Sequence, residues 1–234
     1  MKRVLSSLVV LVLVGASVVA VRHALANELV ASINGRLFEL AGQSVKTGLA
    51  ASESAVQHLD ADAQSALALA PSNGQYWNTL ARLHFTPRTN LSGAVVTDLD
   101  AAYVAAKASV VTQPSSAYAW ASLAFASDQL MAQNRLPGGQ AALEQSLSRA
   151  AALGAREPYV LRSVVDLGLA NWDSLSAVSR QSVMRSIDHL AQRQPDDVIA
   201  LARHRGRLAE VCSEKRLTSR KECTIPVNAI AVSS

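Results

Sequence analysis

Leu67-Ala68-Leu69-Ala70-Pro71-Ser72-Asn73-Gly74-Gln75-Tyr76-Trp77-Asn78-Thr79-Leu80-Ala81 decides the fold, because its pattern returns 43 residues later. Val110-Val111-Thr112-Gln113-Pro114 runs on to Ala119-Trp120-Ala121-Ser122-Leu123-Ala124. In both copies a proline closes an apolar run, tryptophan follows six residues later, and Leu-Ala comes next at the same offset. A helical repeat cannot bury its apolar face alone, so such units stack and their product is usually a binding surface. The pattern therefore speaks for architecture before chemistry.

Working outward, the chain predicts helix after helix. It has 234 residues, half of them apolar and only 4% aromatic, and its alanine and leucine content favours helices over strands. Leu29, Ile33, Leu37, Leu40 and Val45 keep helical spacing, although Gly35, Gly42 and Gly48 weigh against one unbroken rod. Residues 50–70 form the next helix, stopped by Pro71. Ser72-x-x-Gln75 caps a helix reaching about Phe85, and 86–96, with Pro87, Asn90 and Gly93, reads as a loop.

Thr97-x-x-Asp100 then starts a helix up to Pro114, and Ser115 or Ser116 starts one to about Gln133. Beyond Pro137-Gly138-Gly139 come helices over 140–153, 157–171, 174–194 and 196–211. Strand-like alternation is expected only at Ile225, Val227, Ile230 and Val232.

Lys2 and Arg3 precede Val4–Val21, eighteen residues without a charge, which is long enough for a membrane-spanning helix and longer than the usual core of a signal peptide. The positive charges before the segment outweigh Arg22 after it, so the expected topology has a cytoplasmic N-terminus and a translocated remainder. Ala24-Leu25-Ala26 also has the small-x-small form of a cleavage site, and both readings stay open. In either case the folded part leaves the cytoplasm. The organisation read from the chain is an anchor or signal peptide over 1–26, a helical domain over 27–211, and a basic loop and tail over 212–234.

The two cysteines, Cys212 and Cys223, fit an oxidising compartment, where they most simply form a disulfide. Zinc sites want closer spacings and more ligands. Net charge is +4, and 203–222 carries all of the excess: seven basic side chains (Arg203, Arg205, Arg207, Lys215, Arg216, Arg220, Lys221) against three acidic ones. Of these, Arg216, Arg220 and Lys221 are candidate contacts for an anionic polysaccharide or lipid, and a solvated face is the plainer alternative. The outward address speaks against nucleic acid.

Proline, tryptophan six residues on, then Leu-Ala, resembles the junction between consecutive tetratricopeptide repeats, at Pro71/Trp77/Leu80/Ala81 and Pro114/Trp120/Leu123/Ala124. Leu161 and Leu201 stand where tryptophan would in two degenerate units, giving spacings of 43, 41 and 40 residues where the family uses about 34. The resemblance implies an all-α fold of antiparallel helical hairpins stacked as a tetratricopeptide-like array behind the N-terminal membrane-spanning helix. It also implies that Trp77 and Trp120 fill space between paired helices.

Positions one and five residues after the anchor line the family's concave face, so Asn78 and Arg82, with Arg162 and Asp166, become the expected partner-binding groove. Phe125 stands where Arg82 has its counterpart. Arg162 and Asp166, four apart, also suit a simple surface ion pair.

Leu153-Gly154-Ala155-Arg156-Glu157-Pro158-Tyr159-Val160, with Gly168-Leu169-Ala170-Asn171-Trp172-Asp173, Leu175 and Arg180, is similar to the C-terminal half of the VpsP-type membrane-anchored proteins of bacterial polysaccharide biosynthesis. This resemblance implies a process with no reaction attached, and partners among other proteins of a polysaccharide assembly or export system at the inner membrane. Trp172, beside a turn, is a candidate for sugar stacking. The sequence holds no Gly-rich phosphate loop, no Gly-x-Ser-x-Gly elbow and no histidine pair spaced for a metal. Asp60/Asp62 and Asp98/Asp100 are two apart and point apart on a helix, so capping or solvation explains them. No cofactor, metal or catalytic residue is expected.

Overall fold

The computed structural model describes residues 2–90, 92–214 and 216–224. The expected tail at Ile225–Val232 lies outside them, as does Lys215. The described chain is helical apart from three two-residue strands, and it divides into two compact units, Met1–Gln113 and Pro114–Ser234.

The first unit opens with α1 (Lys2–Thr47), followed by β1 (Ala51–Ser52), α2 (Glu53–Leu69), α3 (Gly74–Phe85), β2 (Arg88–Thr89), β3 (Val95–Val96) and α4 (Leu99–Thr112). Gly35 and Gly42 do not interrupt α1, which is one continuous helix through position 26. Its outer part and its inner part have different surroundings. Val14, Val18, Val19, Val21 and Leu25 are at least half exposed, whereas Ala26, Val30, Ile33 and Leu37 are buried. That second set recurs every three or four residues, the spacing that keeps one helical stripe against a neighbour. The stripe packs on α2 and α3.

Two polar contacts fix the direction of α1 relative to α3. The Tyr76 hydroxyl donates to Asn27 Oδ1 at 2.6 Å, and Arg82 Nη1 donates to Asn34 Oδ1 at 3.1 Å. Seven residues on α1 match six on α3, so the two helices run the same way. Helix α4 packs on α3, and the Ser109 hydroxyl donates to the Gly74 carbonyl at 2.7 Å.

The caps correct the expected starts by one residue. Asn73 caps α3 by accepting from the Gln75 amide, and Asp98 caps α4 by accepting from the Ala101 amide. Short polar side chains win this role wherever the chain geometry brings them to the first free amides. Ser116 caps the helix after Pro114, as one of the two expected serines. The loop expected over 86–96 carries a small ladder instead: β2 pairs in parallel with β1 and antiparallel with β3.

The second unit holds α5 (Ala117–Ala132), α6 (Gly139–Leu153), α7 (Pro158–Ala170), a 3₁₀ turn (Trp172–Ser174), α8 (Ala177–Ala191), α9 (Pro195–His204), α10 (Leu208–Cys212) and α11 (Lys221–Thr224). Helix α5 packs on α6, α7 on α8, and α9 against both α7 and α8. The helix expected over 196–211 is two helices. Gly206, at φ 67°, takes the left-handed conformation between them that ends helices and that other residues adopt at a cost.

The fourth anchor also shifts. Trp77, Trp120 and Leu161 each lie four residues after their caps, Asn73, Ser116 and Glu157. In α9 the cap is Gln194 and Pro195 is already the first helical residue, so the position four beyond the cap is Val198, which is fully buried. Leu201 is half-buried.

Candidate functional site

The expected groove residues fall in both units. In the first, Asn78 is half-buried on α3, and Arg82 is engaged by Asn34 of α1, so the polar position expected to meet a partner already meets this chain's own helix. A second polar group lies at the other end of α3 from Gly74. His84 Nε2 is 3.5 Å from Asp60 Oδ1, Arg88 Nη2 is 3.9 Å from Asp98, and a cavity of about 150 Å³ opens among them beside Glu53 and Gln57. Burial, opposed by Asp60 and Asp98, holds the His84 imidazole below its usual pKa.

In the second unit, Arg162 and Asp166 do not pair with each other. Arg162 Nη1 donates to Asp197 at 2.9 Å, and Asp166 accepts two bonds from Arg205, at 2.8 and 2.9 Å. Asp197 stands in the first turn of α9 and Arg205 caps its C-terminal end, and α9 packs beside α7. A bidentate guanidinium–carboxylate pair is the strong form of this contact. The two positions thus tie α7 to α9 and the residue that ends it.

Trp172 is half-buried in the 3₁₀ turn. The Arg180 guanidinium stands over its ring, 5.8 Å from the centroid, while Arg180 Nε and Nη2 donate to the carbonyls of Trp172 and Asp173 at 3.0 and 3.1 Å. One ring face is therefore taken by a cation–π contact. Leu175 is buried, and Asn171 Nδ2 donates to Asp128 Oδ1 at 2.7 Å. The Asn171-Trp172-Asp173-x-Leu175…Arg180 pattern is in this way a self-locking turn.

Most of the basic C-terminal segment is likewise answered from within. Arg216 pairs with Asp188 at 2.6 Å, Arg220 with Asp196 at 3.0 Å, and Arg207 with Asp173 and Glu210. The Arg207 contact holds the Asp173 carboxyl below its usual range. Lys221 is exposed. Cys212 and Cys223 lie at disulfide distance, with Cα atoms 5.2 Å apart. The loop they close is better anchored than its polar composition suggests, because Leu217 within it is fully buried.

Sequence reasoning passed over Tyr118 and Tyr159. They lie near the starts of α5 and α7, remain 41% and 61% exposed, and stack with centroids 6.0 Å apart and planes 17° from parallel. The Tyr118 hydroxyl donates to Glu157 at 3.0 Å, and burial together with that carboxylate pushes the phenol pKa up. On the same helix as Tyr118, Phe125 is 39% exposed. The signal was present: each tyrosine is two residues after its cap and two before its anchor. An exposed aromatic pair beside a carboxylate gives flat apolar area at little cost in side-chain entropy, the usual content of a recognition surface.

Among the described residues no group of three His, Cys, Asp or Glu side chains is gathered to hold a metal. Comparison with models of known protein families, with curated proteins and with solved structures finds no match.

Proposed function

We propose that the chain is a non-catalytic, membrane-anchored adaptor, a tetratricopeptide-like array facing the periplasm that supports bacterial exopolysaccharide or surface-polysaccharide assembly by binding other proteins of that system. In this reading α3 with α4, α5 with α6 and α7 with α8 are the paired helices of successive units. The apolar start of α1 is the inner-membrane anchor: the described Val14–Ser44 stretch contains a window long and apolar enough to cross a membrane. A cysteine pair at disulfide distance suits the oxidising side.

The observation that carries the adaptor reading is the exposed Tyr118–Tyr159 pair on neighbouring helices α5 and α7. The polysaccharide part rests on the resemblance of residues 153–180 to the VpsP-type proteins. Deleting the gene should lower surface polysaccharide, and wild-type chain should restore it while a Tyr118→Ala/Tyr159→Ala chain does not. Unchanged polymer in the deletion strain ends the polysaccharide reading. Rescue by the double variant ends the assignment of the face.

Direct binding of the polymer is the second reading, favoured by the same open tyrosine rings more than by Trp172, whose face Arg180 covers. Glycan-array binding lost in the double tyrosine variant supports it.

A further inference from the structure

We infer that one end of the first unit rests on the lipid headgroups: the α2–α3 turn (Ala68–Asn73) together with the C-terminal end of α4 (Ser109–Gln113). This rests on the anchor reading above and extends it from a tether to a docked surface. Because α1 is one helix from the apolar segment into the domain, no flexible linker separates the two. The uncharged run ends at Val21, and Ala26 is the first described side chain of α1 buried in the domain, so about one helical turn lies between bilayer and fold.

Arg22 occupies that turn. Its Nη2 donates to the Ala68 carbonyl at 3.1 Å, which pins the end of α2 to the residue that marks the edge of the hydrocarbon. A basic side chain at the end of a span belongs at headgroup depth, and whatever it bonds lies there too. The Ser109–Gly74 hydrogen bond brings the end of α4 to the start of α3, beside this turn.

The charge distribution fits a surface laid on lipid. Residues 63–81 and 108–113 contain no charged side chain, Val111 is 74% exposed, and Pro71 and Ser72 are exposed. Four of the unit's ionisable groups, Asp60, His84, Arg88 and Asp98, gather at the opposite end of α3. Neutral turns facing an anionic surface, with Asp60 and Asp98 at the far end, favour such docking.

The test uses the full chain in vesicles of phosphatidylethanolamine and phosphatidylglycerol containing headgroup-nitroxide or acyl-nitroxide lipid. A thiol-reactive fluorophore is placed at V14C, S72C, V111C or K46C, the native cysteines being paired. The labels at Ser72 and Val111 are expected to lose fluorescence to the headgroup nitroxide, the label at Val14 to the acyl nitroxide, and the label at Lys46, about 36 Å beyond Arg22 along α1, to neither. Quenching at Val14 without quenching at Ser72 or Val111 overturns the docking and leaves the anchor standing. No quenching at Val14 removes the anchor, and the docking falls with it.

Discussion

The indole N–H of Trp120 donates to the carbonyl oxygen of Pro114 at 2.8 Å, across the six residues that separate them. Trp77 makes the same bond to Pro71 at 3.0 Å. The proline ends one helix, the cap two residues later starts the next, and the indole reaches back to the proline carbonyl in the turn between them. Trp120→Phe keeps the ring but strands that carbonyl, and should destabilise by about 1 kcal/mol. Trp120→Ala should cost about 3–5 kcal/mol. The half-buried Trp77 should show a smaller loss in the same denaturant titrations.

Trimming α1 separates its two parts. A chain beginning at Ala26 keeps the buried stripe, loses the exposed Arg22–Ala68 hydrogen bond, and should unfold, in detergent, within about 1 kcal/mol of the full-length chain. A chain beginning at Phe38 lacks Val30, Ile33 and Leu37 and the Asn27 and Asn34 contacts. It should lose on the order of 5 kcal/mol, read by urea unfolding followed in far-ultraviolet circular dichroism.

Glu144 gives the molecule an acid-sensitive joint. Its carboxylate accepts from the Ser179 hydroxyl at 2.6 Å, from the Ser176 amide at 3.2 Å and hydroxyl, and from Gln140 at 3.0 Å. These bonds overcome the effect of burial and hold its pKa down to about 2 from the ordinary 4.5. A depressed carboxylate stabilises the fold above its unfolded pKa and loses that contribution as pH falls through the folded one. Discounted for solvent screening, it is worth about 1–2 kcal/mol. Glu144→Gln should therefore be less stable than the parent by that amount at pH 7, and the gap should close between pH 4.5 and 2.

Gly168 on α7 faces Val183 on α8 so closely that an added Cβ would fall 2.4 Å from Val183 Cγ2. Gly168→Ala should cost about 1–3 kcal/mol, and Gly168→Ala/Val183→Ala should recover part of it. Thermal melts of the four chains in the cycle measure the coupling.

Reducing the Cys212–Cys223 pair should lower stability by about 2–3 kcal/mol, as expected for a short closed loop, and Leu217 should become exposed with it. Cys212→Ser/Cys223→Ser should reproduce the loss without reductant, seen as earlier thermal unfolding and faster proteolysis after Arg216.

Local signals in the chain proved readable and distant ones did not. Pro71, Pro114 and Pro195 marked helix junctions because a missing amide acts on the residues beside it. The Trp spacing of six was legible as a pattern, though not as a hydrogen bond. Arg82 finds Asn34 across 48 residues, and Arg162 finds Asp197 across 35, so their partners depend on how helices are laid together, which no spacing encodes. The β1–β2–β3 ladder escaped for a related reason: two-residue strands have no period to detect. The break at Gly206 was available, but the charged residues around it read as continued helix. Among the candidate contacts, Trp172, Arg216 and Arg220 carried the right chemistry but had it answered from within, while Tyr118 and Tyr159 looked ordinary until their rings were seen stacked in the open.

An unbroken α1 also sets an angle. Each residue along a helix turns the chain by about 100° and advances it 1.5 Å, so under the proposed anchoring the four residues from Arg22 to Leu25 would fix the azimuth at which the first unit leaves the bilayer. Adding one alanine there would swing that unit more than a quarter turn while barely lifting it. A neighbour gripping both the span and the unit would feel the change as lost phase. Four inserted residues, a little over one full turn, would nearly restore it.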